Sequence, residues 1–469
     1  MPENASLEIG WPAVRRSLWV ASLGGFLIAL TGVLVATSLV NTSSSGLPVF
    51  YLAVLIPLFS GLNPHSIFLA AKARWSEAAL YFFTALVAIA LAAVTSIQTI
   101  WFSLDLSSQT THLIARLMFL IYFAICIRYV RGDFAFSTLV WLRRLLIGCF
   151  LYGIYQLPAK LLGLPLFLDW LRNNKSYMFY GYDAAGWTAM VRSTSIFAEP
   201  SQATIPVAVA VLLNLRLPLG KLSRFFGWLA ISAFTLTCAS RSLWLTLLAL
   251  LVGYNLWRFR RLRPWLVRRR ALPVIVLIAI VLITPTWSFI ASRSPDADIS
   301  EQERSGGIVA GIYTIRDSPL IGFGWNSAIR RADDYLRSSS LPNAANVQGG
   351  FIDNMLVSYW EQAGLAGLLL ALYPLLVVWR WADTAPELRW ATLLVLVAAG
   401  GFGGDIGYVS LTWLWMALLV NMGSIADPHA WRLQDHIVPI SVDDSRFSAI
   451  GLAHSRKARL STAGDDFSG

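Results

Sequence analysis

The sequence predicts an all-α fold, a polytopic transmembrane helical bundle with about 12 spans and a large extracytoplasmic loop that contains short amphipathic helices. Composition is the first observation, because 56% of the residues are hydrophobic and 13% are charged, whereas a soluble domain is about one-quarter charged. The second is the recurrence of apolar runs long enough to cross a bilayer. The third is that basic clusters occupy alternate connectors, as cytoplasmic connectors do. The net charge of +11 therefore indicates orientation in the membrane, and no nucleic-acid partner is expected.

The first half of the chain opens with Arg15 and Arg16 before an apolar run that is too long for a signal peptide. We therefore predict an uncleaved first helix with a cytoplasmic N-terminus. The first five predicted spans cover residues 18–38, 47–62, 77–101, 112–129 and 134–156. Arg143 and Arg144 fall in the cytoplasmic half of the fifth span, and we expect them to extend to the cytoplasmic interface.

The second half alternates long outer loops with short basic connectors. An aromatic-rich outer loop at about 159–199 precedes the sixth span, and the seventh and eighth spans form a hairpin about Cys238–Ser242. The densest basic run, Arg258–Arg270, predicts a cytoplasmic connector. The large outer loop covers about 291–350. The last four predicted spans cover residues 271–290, 351–379, 390–402 and 406–425.

The domain organisation that follows is one transmembrane domain, residues 1–426, and a mostly disordered cytoplasmic tail, residues 427–469. No metal site or cofactor is expected. The five histidines share no ligand spacing. The three cysteines lie in apolar runs without a CxxC motif, which is typical of small buried side chains: Cys126, Cys149 and Cys238.

Charged side chains at predicted outer ends of spans are the candidate functional residues. They fall in three separate stretches: Arg192 with Glu199, then Arg241, then Arg304, Arg316 and Asp353. Arginine stays charged and forks onto phosphate oxygens, so several guanidinium groups at one membrane face favour an anionic ligand. The alternative is structural, with solvated ion pairs in the loop and Arg241 capping its hairpin or pairing with Glu199.

Two of these residues are carboxylates at predicted helix starts. Glu199 precedes Pro200, and Asp353 precedes Asn354. Acids are favoured at helix N-termini, so both residues have a structural explanation. The functional hypothesis is that one of them is a general base at the membrane edge.

The large loop is predicted to contain two short amphipathic helices. Ile308, Ile312 and Ile315 share one helical face, and the segment with Ile329 and Leu336 repeats the pattern. A Pro- and Gly-punctuated turn, DSPLIGFGW, is expected between the two helices.

Four ordered pieces of the chain resemble the O-antigen ligase and O-antigen polymerase superfamily of bacterial envelope glycosyltransferases. In that family the pieces typically read R…F.EP, SR before an apolar span, R…PLFGxG, and HN…L…E.GLxG. Here they are Arg192–Ser201, Ser240–Arg241, Arg304–Gly324 and Asp353–Gly367. They occur in the expected order and on the expected side of the membrane.

The resemblance implies a metal-independent glycosyltransferase of the bacterial inner (cytoplasmic) membrane, multi-pass with both termini cytoplasmic. Its donor would be an oligosaccharide on undecaprenyl diphosphate, and its partners would be membrane lipids, a flippase and a chain-length regulator. Arg192, Arg241 and either Arg304 or Arg316 would bind the diphosphate, and Arg241 would also stabilise the charge that develops as it departs. Glu199 or Asp353 would take the proton of the acceptor hydroxyl.

The position of Asp353 favours a polymerase, because ligases carry histidine before the asparagine of this motif. We therefore predict polymerisation of lipid-linked repeat units into O-antigen, capsule or exopolysaccharide at the outer face of the membrane. Two alternatives remain open. One is ligase-type transfer of a lipid-linked glycan to another acceptor, and the other is a non-enzymatic transporter or flippase of lipid-linked sugars.

Overall fold

A computed structural model describes part of the chain. The described residues are 11–33, 38–41, 46–48, 75–168, 195–197, 200–238, 240–256, 307–308, 311–325, 354–402 and 409–424. The chain divides into a large unit, Met1–Leu217 with Leu222–Ile425, and a small unit, Pro218–Lys221 with Ala426–Gly469. The predicted tail falls in the small unit and lies outside the described residues. Apart from Pro218–Lys221, the described residues all belong to the large unit.

The described residues are almost entirely helical, as predicted. The helices are α1 (Trp11–Val33), α2 (Trp75–Trp101), α3 (Leu106–Tyr129), α4 (Gly132–Leu162), α5 (Thr204–Arg216), α6 (Lys221–Cys238), α7 (Arg241–Leu256), α8 (Met355–Trp381), α9 (Pro386–Phe402) and α10 (Ser410–Asn421). Residues 311–317 form a further short helix, and Pro200–Ala203 and Met422–Ser424 are 3₁₀ turns. The exception is a small antiparallel pair, β1 (Ser38–Asn41) and β2 (Gly46–Pro48).

Four of these helices are long and apolar enough to cross a membrane by themselves. They are Ser76–Trp101, Leu106–Tyr129, Gly132–Ala159 and Met355–Trp381. The described residues also include four shorter apolar helical stretches, Ala21–Val33, Thr204–Arg216, Ser242–Asn255 and Ser410–Asn421. The predicted spans at 47–62 and 271–290 lie outside the described residues, so the count of 12 stays a prediction. The multi-pass membrane character is confirmed.

Two helix boundaries differ from the prediction for local reasons. α3 begins at Leu106, well before the predicted start at 112, because the Asp105 carboxylate caps it by accepting a 2.9 Å hydrogen bond from Ser108 N. α4 continues past the predicted end to Leu162, and Gly163 then ends the helix in the left-handed conformation.

One end of the bundle, where α3, α5 and α8 end, is the basic face. Here Arg131 pairs with Glu77, and Arg216 lies 3.3 Å from Glu387. Trp381 at the end of α8 donates a 2.9 Å hydrogen bond from its indole to Ser76 O at the start of α2. These contacts join helix ends that the charge pattern assigned to one side, which supports the predicted alternation of spans.

Arg143 is a buried structural residue near the basic face. Its guanidinium donates to Asn214 Oδ1 at 2.8 and 3.1 Å and to Ser223 O at 2.7 Å, so it joins α4, α5 and α6. The side chain is only 7% exposed. Arg144, in contrast, is exposed and lies over the Trp141 ring. Arg143 was expected to extend to the cytoplasmic interface, but its guanidinium instead makes its hydrogen bonds inside the protein.

The opposite end, where α2 ends and α3 and α8 begin, is the loop face. Ser410 at the start of α10 donates to Thr31 O and Gly32 O at the end of α1, so α1 and α10 also meet at this end. The described part of the large loop, residues 311–325, packs against the loop-face halves of α2, α3 and α8. The candidate functional site is therefore built at this end.

Candidate functional site

Helix α8 is broken near the loop face. Ala363 (φ −128°) and Gly364 (φ +56°) leave the helical conformation, so the residues from Met355 to Gln362 form a separate first segment of the helix. Asn354 caps this segment, because its side-chain oxygen accepts a 3.1 Å hydrogen bond from Val357 N. A break inside a membrane helix frees backbone groups that other parts of the protein must satisfy.

The segment 318–325, which we call the glycine loop, supplies those partners. Phe323 N donates to Glu361 O at 3.1 Å, and Gly324 N donates to Gln362 O at 2.9 Å. In the other direction Leu365 N donates to Leu320 O at 3.1 Å. The loop thus replaces the intrahelical hydrogen bonds that the break in α8 removes. The predicted turn at this sequence is confirmed.

Glycines make this close approach of two backbones possible. Gly322 has φ +74°, and a Cβ there would lie 2.6 Å from Glu361 O and from Gly364 N. A side chain at Gly364 would meet Leu320 O even more closely. Gly322 of PLIGFG and Gly364 of GLAG are therefore required by backbone contact between the two pieces.

Helices α2 and α3 hold the glycine loop from the other side. The Gln98 amide donates to Ile321 O at 2.6 Å and to Gln362 O at 2.7 Å. Gln109 binds both backbone groups of Trp325, donating to its carbonyl at 2.9 Å and accepting from its N–H at 2.7 Å. The Trp325 indole N–H donates to Thr95 at 3.0 Å. Each of these glutamines lies within the membrane helix next to the loop-face end.

Arg116 packs beneath the end of the glycine loop. Its guanidinium carbon lies 4.1 Å from the centre of the Trp325 ring and 5.5 Å from that of Tyr359. The arginine is 4% exposed and donates a 3.2 Å hydrogen bond to His112 O. Since Tyr359 lies on α8, this cation joins α3, the glycine loop and the first segment of α8 in one cluster.

Glu361 is a fully buried carboxylate in the same segment of α8. Its exposure is 0%, and neither carboxylate oxygen accepts a hydrogen bond from the residues that the structure describes. Asn354 is also 0% exposed, and its side-chain nitrogen has no hydrogen-bond partner among the described residues. Buried polar groups are normally paired, so such atoms require a functional or structural explanation.

Two of the sequence-predicted site residues fall within the described part of the chain, and only one of these has a described side chain. Arg316 is exposed on the short helix that precedes the glycine loop. Arg241 begins α7, beside the buried pair Ser240 and Ser242, whose hydroxyls are 2.9 Å apart; its side chain is not described. The others lie outside the described residues: Arg192, Glu199, Arg304 and Asp353. Their convergence stays a prediction.

The loop helix is confirmed in position but not in its predicted packing face. Residues 311–317 are helical, and Ile308 before them is buried. Ile312, however, is 42% exposed, so the three isoleucines do not form one buried stripe. The second predicted amphipathic helix, with Ile329, Ala332 and Leu336, lies outside the described residues, as does the aromatic stretch Trp170–Trp187.

Sequence reasoning missed the residues that build the described site. Arg116 lies inside a predicted span and was not singled out, and Glu361 entered only as the glutamate of the E.GLxG motif, without a role, although a lone charge in an apolar run is itself a signal of function. Gln98 and Gln109 gave no signal, because a glutamine near a span end is ordinary. The charges inside spans are therefore more numerous than the sequence analysis recognised.

Comparison with known families decides the assignment. Residues 225–372 match the family model described as O-antigen ligase. This part of the chain is similar to the O-antigen ligase family. The matched region begins in α6 and ends in α8, so it contains Arg241, the glycine loop and the break in α8, but neither Gln109 nor Arg116. No curated protein matches the chain.

The matched region, residues 225–372, confirms the resemblance seen in the sequence. It indicates ligase- or polymerase-type function on lipid-linked glycans of the envelope, in a multi-pass membrane protein. The two pieces whose glycines meet, at the glycine loop and at the break in α8, both belong to the matched range. This contact between backbones explains why glycines occur in two of the four sequence pieces, Arg304–Gly324 and Asp353–Gly367.

Proposed function

We propose that this protein polymerises undecaprenyl-diphosphate-linked oligosaccharide repeat units into O-antigen, capsule or exopolysaccharide at the outer face of the inner membrane. The observation that carries the proposal is the docking of the glycine loop into the break of α8, inside the region that matches the O-antigen ligase family. Arg316 lies just before this loop, and Asn354 begins the segment of α8 that the loop contacts. This arrangement supports a site at the loop face.

In the proposed mechanism, arginines bind the donor diphosphate. Arg192, Arg241 and either Arg304 or Arg316 come from separate stretches and would surround its oxygens, with the lipid tail between spans. The exposure of Arg316 is consistent with contact to a ligand outside the bundle. Fixed guanidinium groups stabilise the charge that develops on the leaving diphosphate without reorganisation, which is commonly the largest catalytic contribution.

A carboxylate completes the proposed mechanism. Asp353 directly precedes Asn354, the residue that caps α8 at the loop face, and Glu199 directly precedes the 3₁₀ turn Pro200–Ala203. Either is placed by sequence at the start of a membrane helix. One of them takes the proton of the acceptor hydroxyl as that oxygen attacks the sugar carbon, and the sugar–diphosphate bond breaks with its electrons passing to the diphosphate.

Ligase-type transfer is the second candidate, because the matching family model carries the description O-antigen ligase. The same site would then serve a different acceptor. Aspartate in the place where ligases carry histidine favours the polymerase. The two activities leave different intermediates, which makes them separable in cells.

The experiment starts from a strain in which the gene is deleted and supplies either the wild-type gene or the Asp353→Asn variant. The lipid-linked glycans that accumulate in the two strains are then compared. Loss of the base is expected to lower transfer about 10²–10⁴-fold. A defective polymerase accumulates single repeat units on lipid, whereas a defective ligase accumulates long lipid-linked chains. Asp133→Asn, an exposed carboxylate in the first turn of α4 at the basic face, is the matched control and should restore normal polymer. Long lipid-linked chains in the Asp353 strain would replace the polymerase proposal with the ligase, and normal polymer there would exclude Asp353 as the base.

A further inference from the structure

The first segment of α8 carries polar groups that the proposed mechanism leaves without a role. Asn354 and Glu361 are seven residues apart, so they share one face of the helix with about 10 Å of rise between them. Ser358 lies between them on that side and is 8% exposed. The stripe therefore runs inward from the residue next to Asp353 to the break in α8.

Several buried polar atoms on and beside this stripe lack a hydrogen-bond partner among the described residues, and they include both donors and acceptors. The stripe and the glutamines beside it include the side-chain nitrogen of Asn354, both carboxylate oxygens of Glu361 and the side-chain oxygens of Gln98 and Gln362, none of which has a hydrogen-bond partner in the part of the chain that the structure describes. Both glutamines use their amide nitrogens, Gln98 on two backbone carbonyls and Gln362 on Ser358. With Glu361 ionised, acceptor atoms in this set outnumber the donor atom, so a complementary ligand supplies hydrogens.

These atoms do not stabilise the fold. A buried polar group without a partner costs free energy, and a buried charge costs more, so an apolar side chain would serve stability better at Glu361. Departures of this kind are expected where function requires them. Among the described residues, Phe323 N donates to the Glu361 carbonyl and no group donates to the Glu361 carboxylate, so this part of the structure does not avoid the cost.

We propose that the unpartnered groups of Asn354 and Glu361 bind hydroxylic ligands along this buried stripe, either bound waters or hydroxyl groups of the glycan. One hydroxyl or water donates to the Glu361 carboxylate, and a second hydroxyl, nearer the start of α8, accepts from the Asn354 amide. The inference deepens the proposed function and rests on it for the glycan source. In that case the site orients the acceptor at the first segment of α8.

The test uses the full-length protein in lipid nanodiscs and three variants. Glu361→Leu removes the carboxylate, Glu361→Gln keeps a hydrogen-bonding side chain of the same shape, and Gln156→Leu is the control. Gln156 is also fully buried, but its amide makes two 2.8 Å hydrogen bonds to the backbone of Ser195. We expect Glu361→Leu to raise the midpoint of thermal unfolding and Gln156→Leu to lower it.

For the rate of glycan transfer we expect the opposite result, with Glu361→Leu as the impaired variant. Glu361→Leu is expected to lose about tenfold or more of the transfer rate, the effect of one strong hydrogen bond, and Glu361→Gln to retain more than Glu361→Leu. If Glu361→Leu keeps wild-type transfer, or loses stability as Gln156→Leu does, the proposal is wrong. If Glu361→Leu does not fold, the glutamine variant tests the proposal instead. We expect Glu361→Gln to keep part of the transfer rate, so a stable but fully inactive Glu361→Gln protein would also contradict the proposal.

Density between Asn354 and Glu361 identifies the ligand. An oxygen seen without substrate indicates water, and one that appears only with the lipid-linked oligosaccharide indicates a sugar hydroxyl. A metal cation there would overturn the hydroxylic assignment. The unfolding midpoints and the density do not require glycan transfer, so they test the site even if the wild-type protein proves to have no polymerase activity.

Discussion

The guanidinium of Arg116 lies 4.1 Å from the centre of the Trp325 ring and is almost completely buried there. The arginine belongs to α3 and the tryptophan ends the glycine loop, so the contact joins the front half of the chain to the region that matches the O-antigen ligase family. The packing of this region therefore depends on side chains that lie outside residues 225–372.

Arg116→Lys is expected to lower stability, because lysine keeps the charge but lacks the flat face that covers Trp325 and Tyr359. Loss of the stacking is expected to cost about 0.5–2 kcal/mol. Thermal unfolding followed by tryptophan fluorescence in nanodiscs measures the change. Arg144→Lys is the matched control, since Arg144 also lies over a tryptophan, at 4.8 Å, but is exposed. Equal losses in the two variants would show that the buried stack has no special role.

Gly322→Ala is expected to disrupt the docking of the glycine loop. The backbone strain alone costs about 1–3 kcal/mol, and the new methyl group would lie 2.6 Å from Glu361 O. Gly148→Ala is the control, because a Cβ there meets no atom within 4 Å and helical alanine is favoured over glycine. Yield of folded protein and transfer rate should fall for the first variant alone. A fully active Gly322→Ala protein would contradict the packing described here.

Gln109→Ala is expected to loosen the end of the glycine loop, since it leaves the N–H and carbonyl of Trp325 without their partner. Each unsatisfied buried group costs about 1–3 kcal/mol. Hydrogen exchange of a peptide covering 318–325 should become faster. Asn255→Ala, which removes one hydrogen bond to Leu251 within its own helix, should leave that exchange unchanged. Unchanged protection in the Gln109 variant would mean that other contacts hold the loop.

Arg143→Leu separates structure from function. It leaves Asn214 Oδ1 and Ser223 O without the donors that join three helices at the basic face, so folded protein should decrease. Transfer per folded molecule and the KM for the lipid-linked donor should stay at wild-type values, because we place the donor at the loop face. A raised KM with normal stability would move the donor site to the basic face.

The sequence predicted the membrane helices better than it predicted their contacts. Hydropathy located α2 and α8 closely, because long apolar runs carry a strong signal. It could not show the break in α8, since averaging over a window hides two non-helical residues. Asp105 was assigned to a loop because a capping residue and a loop residue look alike in one sequence.

The candidate site was predictable in part. The turn in DSPLIGFGW and the joint use of separate glycine motifs followed from composition and resemblance. The Arg116–Trp325 stack did not, because contacts between distant helices leave no periodic pattern. Glu361 was hidden for a related reason, since its burial and lack of partners are properties of the packed helices alone.

Arg241→Ala tests the central claim most directly, namely that arginines at the loop face hold the donor diphosphate. The measurement is the length and rate of polymer formed from lipid-linked repeat units by purified protein in vesicles, beside Arg380→Ala, an exposed arginine in the last turn of α8 at the basic face. We predict that Arg241→Ala lowers the rate about a hundredfold or more while Arg380→Ala matches wild type. Long polymer made by Arg241→Ala at the wild-type rate would contradict the account.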